Sequence, residues 1–277
     1  MSFEGMRVLS LESRRAKEIE GLIRRAEGDP FVAPSVKERA LEDQRDVLLF
    51  VDRLEAGDFN LVVCMTGVGL AFLRDAVSAH MPVERLAAAL RRTVIVSRGP
   101  KPVPILKAMG VPIQVLVPEP NTWKEIVEAI AARPERRIAV QEYGRPNKEL
   151  KAALERLGAT VATVAVYRWE LPEDREPLRE AARRLASRQF DVVLFTSSIQ
   201  LDHLLAMARD LDLEMPVREA LARDMVIASV GPVMTGSLLS QGFTVDIVPT
   251  HPKLGPLVKA AADLAPAILR AKQAESR

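Results

Sequence analysis

The sequence contains few aromatic residues and little net charge, and both scarcities argue against a nucleic-acid partner. Phe, Trp and Tyr together make up 4% of the 277 residues, too few for the stacked aromatic platforms that bind single strands. The formal net charge is +2, so no strong positive field draws in a phosphate backbone. The chain is therefore expected to bind no nucleic acid.

Cysteine, histidine and long apolar runs are also scarce. Cys64 is the only cysteine, so it forms no internal disulfide, and its apolar neighbours predict a core position. His80, His203 and His251 are far apart, and none stands at ligand spacing from Cys or Glu, so no metal is expected. No apolar run reaches the ~18 residues of a membrane span. The N-terminus shows no basic-then-apolar export signal, which predicts a cytoplasmic protein without a membrane partner.

What the sequence does contain is an internal repeat at nearly constant spacing. Each half carries a similar apolar run, a similar glycine turn and a similar first strand. Such similarity indicates a duplication, and two like domains that face each other form a cleft suited to a ligand. The matching segments are FNLVVCMTGVGL (59–70) with FDVVLFTSSIQL (190–201), 131 positions apart; VIVSRGP (94–100) with VIASVGP (226–232), 132 apart; and RVLSLE (7–12) with RIAVQE (137–142), 130 apart.

Short Val/Ile/Leu-rich runs alternate with longer amphipathic stretches, a pattern typical of parallel α/β sheets covered by helices on both faces. The fold class predicted is α/β, with two similar parallel-sheet domains. Strands are expected near 6–11, 60–65, 93–97, 113–117, 137–141, 190–196, 225–230 and 244–248, and helices, for example, over 16–27, 123–132, 147–157, 174–188 and 254–272.

Two domain boundaries fit the pattern. The chain divides simply near 130–136, or it crosses twice, at the extended, Pro-marked segments 31–36 and 161–170. In the second case residues 1–30 join 171–277 and residues 37–160 form the other domain. Periodicity alone does not choose between them.

Ligands of such sheets bind beyond the carboxyl ends of the strands, so the loops there are the candidate site. Gly67, Gly69, Gly99 and Gly231 would expose N–H groups at helix N-termini, which suit carboxylates or phosphates. Thr196, Ser197 and Ser198 end the apolar run VVLF and could hold a carboxylate, cap a helix, or do both. The cations of these loops, which together predict a polyanion site, are Arg14, Arg15, Arg98, Lys101, Arg145 and Lys253.

Two common catalytic patterns are missing from these loops. TGVGL at 66–70 lacks the third glycine of a dinucleotide fingerprint and the later acidic residue, so no nucleotide cofactor is expected. No G-x-S-x-G elbow surrounds Ser198, which argues against a serine hydrolase. Tyr167 lies beside Arg168 and Trp169 in the second crossing segment. Its phenol could donate a proton to a leaving oxygen, or its ring could simply pack in a linker.

Several of these segments resemble the uroporphyrinogen-III synthase family, in the family's order and over nearly the whole chain. The segments that carry the resemblance are RVLSLESRRAKEIEGLIRRAEGDPFVAP at the start, TGVG at 66–69, KELKAALERLGATVATVAVYRWELP, VVLFTSSIQLDHLL, VIASVGPVMTGSLLSQGFTVDIVPTHPKLGPLVKAA and, within the latter, HPKLGPL at 251–257.

The resemblance implies two α/β domains joined by a two-stranded linker, with the first strand-helix unit in the C-terminal domain, which selects the crossed boundary. It implies closure of hydroxymethylbilane, an open-chain tetrapyrrole with eight carboxylates, to uroporphyrinogen III, by loss of water and inversion of ring D through a spiro intermediate. No cofactor takes part. Tyr167 would be the acid. The substrate-binding residues expected are Arg14, Thr66, Gly67, Val68, Ser97, Arg98, Gly99, Tyr143, Thr196, Ser197, Ser198, Gly231, Pro232, His251 and Lys253.

One departure from the family pattern concerns the turn after Gly231 and Pro232. Many members place two threonines there, whereas this chain has Val233 and Met234, with Thr235 one position late. A hydroxyl contact is therefore doubtful at this turn, although backbone donors remain. The alternative function is a sensor that binds a tetrapyrrole or another polyanion without converting it. A monomer is expected in either case.

Overall fold

The computed structural model describes residues 2–275 and contains eleven strands and twelve helices in that range. The strands are β1 (Arg7–Ser10), β2 (Asp29–Val32), β3 (Lys37–Ala40), β4 (Leu61–Cys64), β5 (Val94–Ser97), β6 (Val115–Leu116), β7 (Arg137–Gln141), β8 (Thr160–Val164), β9 (Tyr167–Glu170), β10 (Val192–Phe195) and β11 (Val226–Ser229). The helices are α1 (Ala16–Arg25), α2 (Arg45–Glu55), α3 (Gly67–Ser78), α4 (Val83–Arg91), α5 (Val103–Ala108), α6 (Trp123–Ala131), α7 (Lys148–Arg156), α8 (Glu176–Ala186), α9 (Ser198–Asp210), α10 (Glu214–Arg223), α11 (Pro232–Ser240) and α12 (Leu254–Glu275).

The described chain divides into two compact units. The first unit comprises the residues up to Lys37 and from Glu170 onward, and the second comprises Glu38–Trp169. The short strands β3 and β9 pair where the chain passes from one unit to the other. Within residues 2–275 no helix is long and apolar enough to cross a lipid bilayer.

Each unit is a parallel sheet with helices on both faces, which confirms the predicted fold class. The first sheet has the order β11-β10-β1-β2 and the second β6-β5-β4-β7-β8. All four residues of β4, β10 and β11 are buried, as expected of strands covered on both sides. Cys64 ends β4 and is fully buried, as its neighbours predicted, and burial raises the pKa of its thiol to about 12.

The strand registers of the two units match the spacings of the sequence repeat. Leu61 pairs with Val94 and Val192 pairs with Val226, which are the same partners shifted by 131 and 132 positions. The pair Leu61–Ile138 likewise corresponds to Val8–Val192. The duplication seen in the sequence is thus a duplication of strand pairing.

The edge of each sheet is shorter than the sequence predicts. Instead of a strand over 113–117 there is only Val115–Leu116, and instead of one over 244–248 there is a single bridge from Ile247 to Ala228. The cause is a side chain next to the edge. Gln114 Oε1 accepts the Ile95 N–H (2.7 Å), and Asp246 Oδ2 accepts the Ile227 N–H (2.7 Å), so a side chain replaces a backbone partner in the ladder.

A glycine at the same place in each unit ends the helix that leads to this edge. Gly110 after α5 and Gly242 after α11 have φ of +65° and +85°. The N–H groups that follow close the helix: Val111 donates to Leu106 and Phe243 donates to Leu238. This left-handed helix end favours glycine because a Cβ would be strained there.

Candidate functional site

Each sheet has one place where the helices that follow two neighbouring strands pack on opposite faces. In the first unit, α1 after β1 packs with α12, whereas α9 after β10 packs with α8 and α10. In the second unit, α3 after β4 and α7 after β7 belong to different cores. Such a switch point opens a crevice outside the carboxyl ends of the strands, where ligands of α/β sheets bind.

At the switch point of the first unit, Thr196 after β10 meets Glu12 after β1. The Thr196 hydroxyl donates to Glu12 Oε2 at 2.5 Å and accepts a hydrogen bond from Gln200 Nε2 at 2.7 Å. Gln200 Oε1 in turn accepts the N–H groups of Thr196 (2.8 Å) and Ser197 (3.2 Å). Thr196, one of the three hydroxyl residues predicted to hold a carboxylate or cap a helix, is therefore hydrogen-bonded within the protein. Of the other two, Ser197 is the N-cap of α9 and Ser198 is only 5% exposed.

The loop 249–253 of the first unit packs beside the turn of Gly231. A Cβ on Gly231 would lie 3.0 Å from Pro252, so the loop approaches the glycine backbone closely. Pro232, His251 and Lys253 are exposed around this contact, which brings together four of the predicted residues. The Thr235 hydroxyl lies 2.9 Å from that of Ser229 and is thus directed into the turn, in keeping with the doubtful contact there. Arg14, also predicted, is exposed just before α1.

The switch point of the second unit is formed by the N-terminus of α3 and the end of β7. Thr66 caps the helix by accepting the Gly69 N–H at 2.9 Å. The first N–H groups of a helix have no intrahelical acceptor, so those of Gly67 and Val68 suit an anion. Gln141 supports this end, because its Oε1 accepts the Thr66 N–H at 3.3 Å. With Gln141 in this position, a Cβ on Gly69 would collide with the Gln141 amide, so glycine fits here.

Arg98 follows β5 and lies against aromatic rings rather than against an acid. Its guanidinium carbon is 5.3 Å from the centre of the Tyr143 ring. Burial lowers the pKa of Arg98, and charge interactions with Tyr143 and Tyr167 oppose part of this. No carboxylate among the described residues pairs with Arg98. A half-buried arginine without an acidic partner can bind an incoming anion without first giving up an ion pair.

Tyr167 is packed more tightly than a solvent-facing acid would be. Its side chain is 3% exposed and its ring stacks on Phe72, with 5.5 Å between centroids. The Trp169 ring lies edge-on to Tyr167 at 6.5 Å and tilted against Tyr143 at 5.7 Å. The two tyrosines, the tryptophan and Arg98 therefore form one cluster, which we call the aromatic cluster.

The turn after β5 has the same construction as the turn after β11. Ser97 is fully buried and donates to the Gly99 carbonyl at 2.7 Å, as Ser229 does to Gly231 at 3.1 Å. The predicted Ser97 hydroxyl is thus engaged within the protein. Gly99 has no room for a side chain, because a Cβ would collide with Asn121.

Sequence reasoning missed Glu12, Gln141 and Gln200. The repeat offered a signal for Glu12, because Glu142 lies 130 positions later in the matched segment. The two glutamates have different surroundings. Glu142 is 7% exposed, and burial raises its pKa, although a hydrogen bond with Thr163 and the charge of Lys151 oppose the shift.

Comparison with known proteins gives consistent results. The family described as "Uroporphyrinogen-III synthase HemD" matches residues 17–259. A Bacillus subtilis protein, named "Uncharacterized protein YjjA", is 26% identical over 259 residues, which cover 92% of this chain and 94% of that protein.

Two solved structures share the fold. A mutant uroporphyrinogen III synthase of Thermus thermophilus has a TM-score of 0.70 at 23% identity, over 95% of this chain and 100% of the other. The uroporphyrinogen-III synthetase of Helicobacter pylori has a TM-score of 0.53 at 13% identity, over 94% and 99%. At these identities the likeness concerns the fold alone.

Proposed function

Because this chain belongs to the uroporphyrinogen-III synthase family, we propose that it closes hydroxymethylbilane to uroporphyrinogen III, with loss of water and inversion of ring D through a spiro intermediate. The observation that carries the proposal is Arg98, a half-buried cation with no acidic partner among the described residues, at a strand end beside the aromatic cluster. A substrate with eight carboxylates supplies the partner that Arg98 lacks.

Main-chain donors and a few cations hold the remaining carboxylates in this proposal. The N–H groups of Gly67 and Val68 lie at the start of α3, and a helix N-terminus attracts negative charge. Ser97 and Thr196 act indirectly, because their hydroxyls shape the turns that present other groups. The residues that we propose to contact substrate are Arg14, Thr66, Gly67, Val68, Arg98, Gly99, Tyr143, Ser197, Ser198, Gly231, Pro232, His251 and Lys253.

Positioning does most of the catalytic work in this scheme. Hydroxymethylbilane closes without an enzyme to the uninverted type I isomer, so a synthase must hold the terminal rings in the arrangement that leads to the spiro intermediate. Correct placement of reacting groups can by itself lower a barrier by about 7–11 kcal/mol. Such a reaction needs no reactive cofactor, only a site that fixes many carboxylates at once.

We assign the proton that accompanies the leaving oxygen to Tyr167. Packing against Phe72 fixes the direction of its phenol, and the Arg98 cation is close enough to interact with it. Tyr167→Phe keeps the ring and removes the hydroxyl. We expect kcat to fall by about 10²-fold or more, the usual contribution of a general acid, in a variant that still folds. Full activity of this variant would leave Tyr167 a packing role only.

The function itself is tested by an isomer assay. Freshly made hydroxymethylbilane is incubated with the protein, the product is oxidised, and the type I and type III porphyrins are separated. A sample without protein measures spontaneous closure. Type III in excess supports the proposal, whereas tight binding of the bilane with type I formed only at the spontaneous rate would indicate the sensor function instead.

A further inference from the structure

A carboxylate occupies the switch point of the first unit, where a substrate rich in carboxylates would be repelled. Glu12 is half-buried at the end of β1, with Oε2 2.5 Å from the Thr196 hydroxyl. The guanidinium of the neighbouring Arg15 pairs with Glu18, and its charge interacts with Glu12 without forming an ion pair with it among residues 2–275. A carboxylate at this point disfavours a substrate carboxylate and favours a hydrogen-bond donor or a cation.

Glu12 also has unused capacity to accept hydrogen bonds. Its Oε2 accepts from the Thr196 hydroxyl and its Oε1 from the Arg15 N–H at 3.2 Å. An ionised carboxylate offers about four lone-pair sites, so two remain for a ligand. Thr196 is itself fixed by Gln200, which orients the carboxylate before any ligand arrives.

The proposed substrate supplies a suitable group only during the reaction. When the C–O bond of the hydroxymethyl group breaks, the oxygen takes up one proton and leaves as water. The lone pair of the pyrrole nitrogen moves into the ring, so the positive charge is shared between the former hydroxymethyl carbon and the N–H nitrogen. This charge is absent from the ground state, and a fixed carboxylate that stabilises it accelerates the step.

We infer that Glu12 accepts a hydrogen bond from the N–H of the pyrrole ring that carries the hydroxymethyl group and stabilises the cation formed on that ring. Glu12 forms no covalent bond in this step. The inference rests on the proposed function and adds a catalytic residue to it, one that is distinct from the acid assigned to Tyr167.

The repeat provides a matched control. Glu142 follows β7 as Glu12 follows β1, but it is buried and hydrogen-bonded to Thr163. Because Glu142 is closed off by its own unit, Glu142→Gln should have kcat within about 2-fold of the unaltered protein. The test variants are Glu12→Gln, which keeps an acceptor for Thr196 and loses the charge, and Glu12→Asp, which keeps the charge on a shorter side chain.

Steady-state kinetics of type III formation distinguish the outcomes. We expect Glu12→Gln to lower kcat by about 10- to 100-fold while KM changes by less than about 3-fold, since the interaction forms only in the transition state. Glu12→Asp should lose less than Glu12→Gln. Circular-dichroism melting of each variant confirms that it folds.

Three results would overturn the inference while leaving the proposed function in place. In the first, Glu12→Gln keeps the kcat of the unaltered protein. In the second, only KM rises, which would mean that Glu12 binds the ground state. In the third, a folded Glu12→Asp loses as much activity as Glu12→Gln. By contrast, an unaltered protein that yields only type I product would refute the proposed function itself.

Discussion

The contact between Gly69 and Gln141 leads to a quantitative prediction about the second unit. Gly69→Ala places a methyl group against the Gln141 amide, which is fully buried. Overpacking costs about 1–3 kcal/mol. Loss of the amide's hydrogen bond to Thr66 costs about 1–3 kcal/mol more, and the better helix propensity of Ala offsets about 0.5–1 kcal/mol. The variant should therefore lower the free energy of unfolding by about 3 kcal/mol.

In the first unit the amide at the equivalent place belongs to the helix instead of the strand. The residues at the positions equivalent to Gly69 and Gln141 are Gln200 on the helix and Leu11 on the strand, and Gln200 Nε2 donates to the Leu11 carbonyl at 3.2 Å. In both units one amide supports the start of the helix, supplied by the strand in one and by the helix in the other. The double variant Gly69→Gln with Gln141→Leu copies the first unit and should be more stable than the sum of the two single changes predicts.

Urea unfolding followed by tryptophan fluorescence measures this directly, because Trp123 and Trp169 are the only tryptophans and both lie in the second unit. Two results would refute the reasoning. One is a change of less than about 0.5 kcal/mol in Gly69→Ala, the range of an ordinary surface substitution. The other is strict additivity in the double variant, which would mean that the two positions do not interact.

Three further predictions concern single side chains. Arg98→Met should raise KM about 10-fold with little change in kcat, as expected for loss of one charge-assisted hydrogen bond, whereas Arg53→Met, which removes an arginine already paired with Asp58, should not; equal kinetics would place Arg98 outside the site. Burial disfavours ionised Asp191, but hydrogen bonds from Arg7 outweigh it and hold its pKa below the usual value. That stabilisation is present above the unfolded pKa and is lost as pH falls through the folded one, below about pH 4. Asp191→Asn should be less stable than the unaltered protein at pH 7 and should lose less stability on acidification. Urea titrations of both proteins at pH 7 and pH 3 measure this, and an equal loss of stability in the two would contradict it. Finally, because the Cys64 pKa is raised to about 12, its thiol should resist iodoacetamide at pH 8 until the protein is unfolded, and rapid labelling of the folded protein would contradict its burial.

The repeat accounts for how much of the fold the sequence revealed. Buried parallel strands are uniformly apolar, so VVLF and LVVC can be predicted as strands from the sequence. The spacing of the matched segments also matches the strand registers of the two units. The edges were harder to predict. Whether 113–117 and 244–248 form full strands depends on single hydrogen bonds from Gln114 and Asp246, which have no periodic signature.

The site was visible in the sequence as a set of loops but not as a set of bonds. Glycine and cation content at strand ends predicted Gly67, Arg98 and Gly231 as candidate site residues, because backbone access and charge are properties of single residues. The contact of Glu12 with Thr196 joins residues 184 positions apart and depends on β1 lying beside β10. Only the strand order reveals such a pair, since neither residue has a local pattern.

The central claim is that this protein directs closure of hydroxymethylbilane to the inverted isomer, and the fraction of type III product as a function of protein concentration tests it most directly. Spontaneous closure gives type I, so a synthase competes with it in proportion to its amount. The account predicts that the type III fraction rises from near zero towards completion as the protein concentration increases. A fraction that stays at the spontaneous level at every concentration would contradict it.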